Sequence, residues 1–170
     1  MRFPRITSGF TLVELLLYVS IASFLLIAVS VFLSTLLSAR VKNETVMEVE
    51  QQGSFVMDVM TQTIRNATAI STPATSTAAV SLSLRTGVAS TTPTVFDLAT
   101  STLRVTEGVG SSVAFTSADI VASDLLFSNL SGSSTPGTIR IQFTLTAINS
   151  SGRNEYDYRR TFYGSATLRP

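Results

Sequence analysis

The sequence contains no cysteine and no histidine, and these two absences exclude most of the common catalytic and metal sites. Without cysteine there is no disulfide and no thiolate ligand for a metal ion. Histidine is the usual general base and transition-metal ligand near neutral pH. The formal net charge is only +1, which gives no argument for nucleic acid as a partner. We therefore expect no enzyme, no cofactor, no metal site and no small-molecule substrate.

Carboxylates are among the few reactive groups that remain. Asp119, Asp124 and Asp157 could form a general acid/base pair or a calcium site. Their spacing does not match a calcium-binding loop of the D-x-[DN]-x-[DN]-G kind. The serine and threonine hydroxyls have no histidine and no nucleophile elbow to activate them. These observations favour carboxylates that are simply solvated in loops.

A cluster near the end of the chain combines aromatic and cationic side chains. It consists of Tyr156, Tyr158, Arg159 and Arg160. Such a combination can stack on nucleic acid bases. Alternation along a strand with a polar edge explains the same pattern, so contact with DNA stays an open alternative and not the expectation.

The longest feature of the chain is an apolar run near its start. From Leu15 to Ala39 there is no charged residue. As a helix this run covers about 37 Å at the usual rise per residue. The hydrocarbon core of a bilayer is about 30 Å thick, so the run is long enough to cross it. We predict a transmembrane helix over 10–39.

A short basic segment precedes the apolar run. Residues 1–9 contain Arg2 and Arg5, and the candidate processing point, Gly9, lies before the apolar residues. A secretory signal has the opposite order, with the cleavage site after its apolar centre. Cleavage after Gly9 would remove the leader and keep the apolar helix on the product.

The stretch Gly9-Phe10-Thr11-Leu12-Val13-Glu14, followed by the apolar helix, resembles the processing motif of type IV prepilins and type II secretion pseudopilins. The resemblance implies cleavage after Gly9 by a membrane-embedded prepilin peptidase and methylation of the new amino terminus at Phe10. It makes Glu14 the acidic residue that sets the register of subunits in a filament. Less specific patterns in the head resemble J-type minor pseudopilins and related minor pilins.

Glu14 has a physical role that agrees with this resemblance. A carboxylate in the first turn of a helix is favoured by the helix dipole. Deep in lipid it costs about 2.5–3.5 kcal/mol or more, and pairing with the terminal amine of a neighbouring subunit would offset that cost. The alternative is that Glu14 marks the headgroup level of an ordinary single-span anchor.

Small residues recur on one side of the apolar helix. Ser23, Ser30, Ser34 and Ser38 follow one another at helical spacing, with Ile27 between the first two. Small side chains at such positions let a second helix approach closely in an apolar medium. Equally, each hydroxyl can bond back to its own helix.

After the apolar run the helical pattern becomes amphipathic and then gives way to strands. Over 40–70, apolar or small residues recur every three or four positions: Val46, Val49, Gly53, Val56, Met60, Ile64 and Ala67. We predict one helix over 12–68 and a β-rich head over 71–170. The head begins with a loop over 71–79, in which Pro73 prevents the helix from continuing. The clearest strand contains Ile139, Ile141, Phe143 and Leu145. The expected fold class is α+β, a long helix packed on an antiparallel sheet, as the resemblance to pilins also implies.

The resemblance implies a structural subunit, of the minor kind, in a type IV pilus or a type II secretion-like pseudopilus. Its partners would be the prepilin peptidase, other pilin or pseudopilin subunits, the inner-membrane assembly platform and the lipid bilayer. Before assembly it would be a single-pass membrane protein with its leader in the cytoplasm and its head outside. Filaments of this kind serve secretion, DNA uptake, adhesion or motility. The alternative is a membrane-anchored extracellular binding module that does not enter a filament.

Overall fold

The computed structural model describes residues 9–132 and 137–169. The predicted leader residues Arg2 and Arg5 lie outside the described part. The chain divides into two compact units, Met1–Arg40 and Val41–Pro170. A single helix, α1, runs from Leu12 to Asn66 and belongs to the first unit at its start and to the second at its end.

The second half of α1 buries the stripe that the sequence predicts. Its buried residues are Thr45, Val49, Gly53, Val56, Met60 and Ile64. They recur every three or four positions and so share one face of the helix. Val46 is only half-buried, and the adjacent Thr45 takes the first buried position. On the opposite face of the helix, Glu48, Asp58 and Arg65 are exposed.

The helix ends earlier than predicted. Ala67–Thr72 is a strand, β1, that pairs antiparallel with a later strand, Leu82–Thr86. The helix predicted over 12–68 therefore ends two residues early, at Asn66, and the predicted loop over 71–79 includes the end of β1 and the short strand Ala78–Ala79. Ala67 continues the helical spacing of the buried residues, but it is also the first inward-facing residue of β1. Its burial therefore fits a helix and a strand equally well. The β-branched Thr68, Ile70 and Thr72 then favour extended backbone.

The remaining strands form two antiparallel sheets. Their bounds are β2 Ala78–Ala79, β3 Leu82–Thr86, β4 Thr94–Ala99, β5 Thr102–Glu107, β6 Val113–Ala114, β7 Ile120–Asn129, β8 Thr138–Ala147 and β9 Arg159–Thr167. One sheet has the order β1-β3-β4-β5-β6 and the other the order β2-β7-β8-β9. Short 3₁₀ helices lie at Ala89–Thr91 and Asn154–Tyr156. Tyr156 and Tyr158, whose alternation is typical of a strand, lie before the start of β9.

The helix and both sheets enclose one core. β8 contributes the predicted Ile139, Ile141, Phe143 and Leu145, all fully buried. Phe143 stacks on Phe162 of β9 with ring centroids 5.3 Å apart. Residues of α1, β3, β4, β5 and β7 complete the same cluster. The fold class is α+β, a long N-terminal helix with its second half packed on antiparallel sheets, as the sequence predicts.

Candidate membrane helix and processing segment

The start of α1 is capped by the motif residues themselves. The backbone N–H of Glu14 donates to Thr11 Oγ1 at 3.3 Å, and the N–H of Leu15 donates to Thr11 O at 3.2 Å. Thr11 is therefore the N-cap residue and Glu14 the third residue of the helix. This T-x-x-E spacing is that of a capping box, which the sequence contains and our sequence analysis did not recognise. The observed cap is the bond to Thr11 Oγ1, and the Glu14 carboxylate in this first turn is favoured by the helix dipole.

The predicted processing point lies in open surroundings. A Cβ atom built on Gly9 would have no heavy atom within 4 Å. The side chain of Phe10 is 69% exposed, and its ring centroid lies 5.6 Å from that of Tyr18, about two helical turns further on. Within the described residues, nothing shields the bond between Gly9 and Phe10 from a second protein.

The apolar part of α1 presents its side chains outward on every side. Leu12–Asn66 contains an 18-residue window that is apolar enough to span a membrane, and none of that window is buried. Every large apolar side chain between Leu12 and Leu37 is at least half exposed. A helix that is apolar all round needs an apolar environment. By length and composition, α1 is long and apolar enough to cross a membrane.

The serine positions divide between the two interpretations given above. Ser23 donates its hydroxyl to Val19 O at 2.8 Å, so it bonds back to its own helix. Among the described residues, Ser30, Ser34 and Ser38 make no such bond. Ser30 and Ser34 are exposed and Ser38 is half-buried. These three remain available for helix packing, whereas Ser23 satisfies itself.

In the second unit, the charged side chains near the end of the chain are held by carboxylates. The hydroxyl of Tyr158 donates to Glu50 Oε1 at 2.6 Å, and the Arg160 guanidinium donates to the same oxygen. Arg160 also lies over the ring of Phe162, 5.4 Å from its centroid. Arg159 pairs with Asp124 at 2.8 Å. Three residues of the cluster considered for nucleic acid contact, Tyr158, Arg159 and Arg160, therefore tie the start of β9 and the residue before it to α1 and β7.

These contacts change the acidity of the groups involved. The hydrogen bond from Arg160, followed by that from Tyr158, lowers the pKa of Glu50 below its ordinary value. The hydrogen bond between the Tyr158 hydroxyl and Glu50 raises the pKa of Tyr158. The pKa of Asp124 is lowered, first by hydrogen bonds from Ser123 and Thr144 and then by Arg159. Both carboxylates are charged at neutral pH and act as structural ion pairs.

Of the two other acidic candidates, Asp157 is exposed directly after the 3₁₀ helix Asn154–Tyr156, and Asp119 lies in a cleft of about 310 Å³. The cleft is lined by Asp119 together with Glu44, Glu48 and Tyr156. Within residues 9–132 and 137–169, no group of three carboxylates is arranged to hold a metal ion. Glu48 is engaged in another way, because its carboxylate accepts from the Ser117 hydroxyl at 3.2 Å.

Sequence reasoning missed the residues that join α1 to the sheets. Glu50 meets Tyr158 across 108 positions of the chain, and Gln52 accepts from the backbone N–H of Ser117 at 2.9 Å across 65 positions. Each is a polar residue on a helix, without a local signal for its partner.

Comparison of the chain with protein-family models, curated proteins and solved structures finds no match.

Proposed function

We propose that the chain is a pilin-like structural subunit, of the minor kind, made as a membrane-inserted precursor. The observation that carries the proposal is the position of Gly9-Phe10-Thr11-Leu12-Val13-Glu14. It lies at the start of an apolar helix whose side chains are exposed on every side. An uncovered apolar helix suits both lipid and a bundle of like helices. Assembly would transfer α1 from the one environment to the other.

Glu14 and the new terminus supply the electrostatic part of this proposal. Cleavage after Gly9 leaves Phe10 with an α-amine that is cationic at neutral pH, and methylation keeps that charge. Glu14 is exposed in the first turn of α1. In an apolar bundle an unpaired carboxylate is expensive, so pairing with the amine of a neighbouring subunit favours one axial register.

The termini of the mature protein test the processing step. The full chain is expressed with a prepilin peptidase, extracted from membranes and weighed intact. We expect a product that begins at Phe10 and carries one added methyl group. The control is Gly9→Val, which meets no neighbouring atom in the chain and so leaves α1 undisturbed while presenting a bulky residue to the peptidase. A wild-type product that still begins at Met1 contradicts the proposal and favours the anchored binding module.

Two substitutions separate the charge of Glu14 from its capping role. Glu14→Gln keeps a side chain that completes a capping box but removes the charge, whereas Glu14→Val removes both. We expect both variants to be cleaved and neither to enter filaments at the wild-type level. Filament content is measured by immunoblot of sheared filaments against total protein. Normal incorporation of Glu14→Gln would eliminate charge matching and leave only helix capping.

A further inference from the structure

The two sheets have four edges, and three of them are blunted. β2 and β6 are only two residues long. β1 is interrupted by two register shifts against β3. β9 differs from all three, because its nine residues pair with β8 in an unbroken register. Natural sheets protect their edges by short strands, bulges, proline or charged side chains. β9 contains no proline, and its only charged residues, Arg159 and Arg160, lie at its start, which leaves 161–167 without such protection.

The outward backbone groups of β9 follow from its hydrogen bonds to β8. At the two ends of the hairpin, Ala147 N donates to Tyr158 O and Leu168 N donates to Gly137 O. In an antiparallel pair the bonded positions alternate. The even-numbered residues of β9 therefore bond to β8. The odd-numbered ones direct their N–H and C=O groups to the open edge: Arg159, Thr161, Tyr163, Ser165 and Thr167.

No backbone partner for these five residues occurs within the described part of the chain. Their side chains lie on the sheet face that is turned away from the core, whereas Phe162 and Ala166 point into it. Tyr163, at the centre, is 63% exposed. The edge thus offers a regular row of donors and acceptors with an aromatic side chain in its middle.

We propose that β9 pairs antiparallel with β9 of a second copy of this chain, about a two-fold axis through Tyr163. In this register Tyr163 faces Tyr163, Thr161 faces Ser165, and Arg159 faces Thr167. All three kinds of pair join outward-facing residues, so every open N–H and C=O group of the row is satisfied. The two four-stranded sheets become one continuous sheet.

The side chains match in this register. Aromatic pairs and threonine–serine pairs are favourable across antiparallel strands, and like charges directly opposite each other are unfavourable. Here no arginine faces an arginine. If the two-fold axis passed through Thr161 or Ser165 instead, some of the five outward-facing residues would extend beyond the end of the partner's β9 and would not be paired. The centre at Tyr163 is the register that uses the whole edge. This inference is independent of the proposed function, since it concerns only the head.

Opposite charges at position 163 test both the partner and the register. The variants Tyr163→Lys and Tyr163→Glu place like charges against each other across the axis. Both side chains point to solvent, so neither disturbs the core. We expect the full chain in detergent micelles to sediment as a dimer, each variant alone as a monomer, and an equimolar mixture of the two as a heterodimer. Matched controls are Gln142→Lys and Gln142→Glu, which lie beside Tyr163 on β8 but away from the edge and should stay dimeric.

A proline tests the backbone directly. Ser165→Pro removes an N–H that faces the open edge without removing a bond to β8. It should abolish the dimer and leave the unfolding midpoint close to that of the control Ser165→Ala. A monomeric wild-type protein overturns the proposal, as does a dimer that persists in Tyr163→Lys and Ser165→Pro. A mixture of Tyr163→Lys and Tyr163→Glu that remains monomeric overturns the register.

Discussion

At Gly53 the helix and the sheet approach so closely that a Cβ atom would lie 2.0 Å from Cζ of Phe162. Replacing a mid-helix glycine by alanine ordinarily stabilises a protein by up to about 1 kcal/mol. Here Phe162 is stacked on Phe143 and has little room to move. We expect Gly53→Ala to lower the free energy of unfolding by about 1–3 kcal/mol, as overpacking does. Chemical denaturation of the full chain in detergent measures it.

Two further variants show whether Phe162 causes that loss. Gly53→Ala combined with Phe162→Leu should cost less than the sum of the two single changes, because the ring that clashes is gone. Gly164→Ala should cost less than Gly53→Ala. The atom nearest its added Cβ is Sδ of Met57, at the flexible end of a side chain. A Gly53→Ala protein that is more stable than wild type would contradict the packing argument.

Glu50 should make the stability of the second unit depend on pH. Its pKa is lowered in the folded protein by the hydrogen bonds from Arg160 and Tyr158. A lowered carboxyl pKa stabilises the fold above the ordinary carboxyl range, and this contribution disappears as the pH falls through the folded-state value. We expect Glu50→Gln to lower the unfolding midpoint at pH 7 by a few degrees and to have a smaller effect near pH 3.

The control for this pH dependence is Glu107→Gln, an exposed carboxylate without an ion pair in the described part of the chain. It should leave the slope of midpoint against pH unchanged. An equal loss at both pH values in Glu50→Gln would assign the effect of that variant to packing and not to charge.

Among the elements, those with a clear period were predictable and those defined by distant partners were not. Val49, Val56, Met60 and Ile64 recur at helical spacing, and the structure buries them as predicted. The strand containing Phe143 alternates over most of its length and was also predicted. β1 was missed because its six residues show weak alternation, and only its pairing with β3 defines it.

The same division holds for the candidate site. The apolar character and the start of α1 are local properties, and both were evident from the sequence. The role of Glu50 depends on Tyr158 and Arg160, which are more than 100 positions away. A carboxylate on the polar face of a helix looks the same in sequence whether its partner is water or a guanidinium.

The N-terminal cap of α1 is testable as an element. Thr11→Ala removes the oxygen that accepts from the N–H of Glu14, and loss of such a cap costs about 0.5–2 kcal/mol. We expect faster hydrogen exchange at the first amides of the helix in detergent, with no change in the second unit. Thr11→Ser keeps the acceptor and should exchange at the wild-type rate. Unchanged exchange in Thr11→Ala would show that another group caps the helix.

At the scale of the whole molecule, one continuous helix carries two different surfaces. Its apolar start contributes nothing to the core, since every described core residue of α1 lies at Thr45 or beyond. Its second half supplies one wall of that core. A change in the apolar start should therefore alter the environment of the helix while the second unit keeps its fold.

A charge placed midway along the apolar run tests this separation. Leu26→Arg puts a guanidinium near the centre of the span, where it costs about 2.5–3.5 kcal/mol to insert. Ser38→Arg, near the end of the run, costs less because a long cationic side chain can reach the membrane surface. We expect alkaline washing to release much more Leu26→Arg than wild type from membranes, and to release little Ser38→Arg. Strand content by circular dichroism should be the same in all three proteins, because neither position contributes to the core. Equal retention of Leu26→Arg and wild type in washed membranes would place this run outside the hydrocarbon, because an arginine buried there should reduce retention.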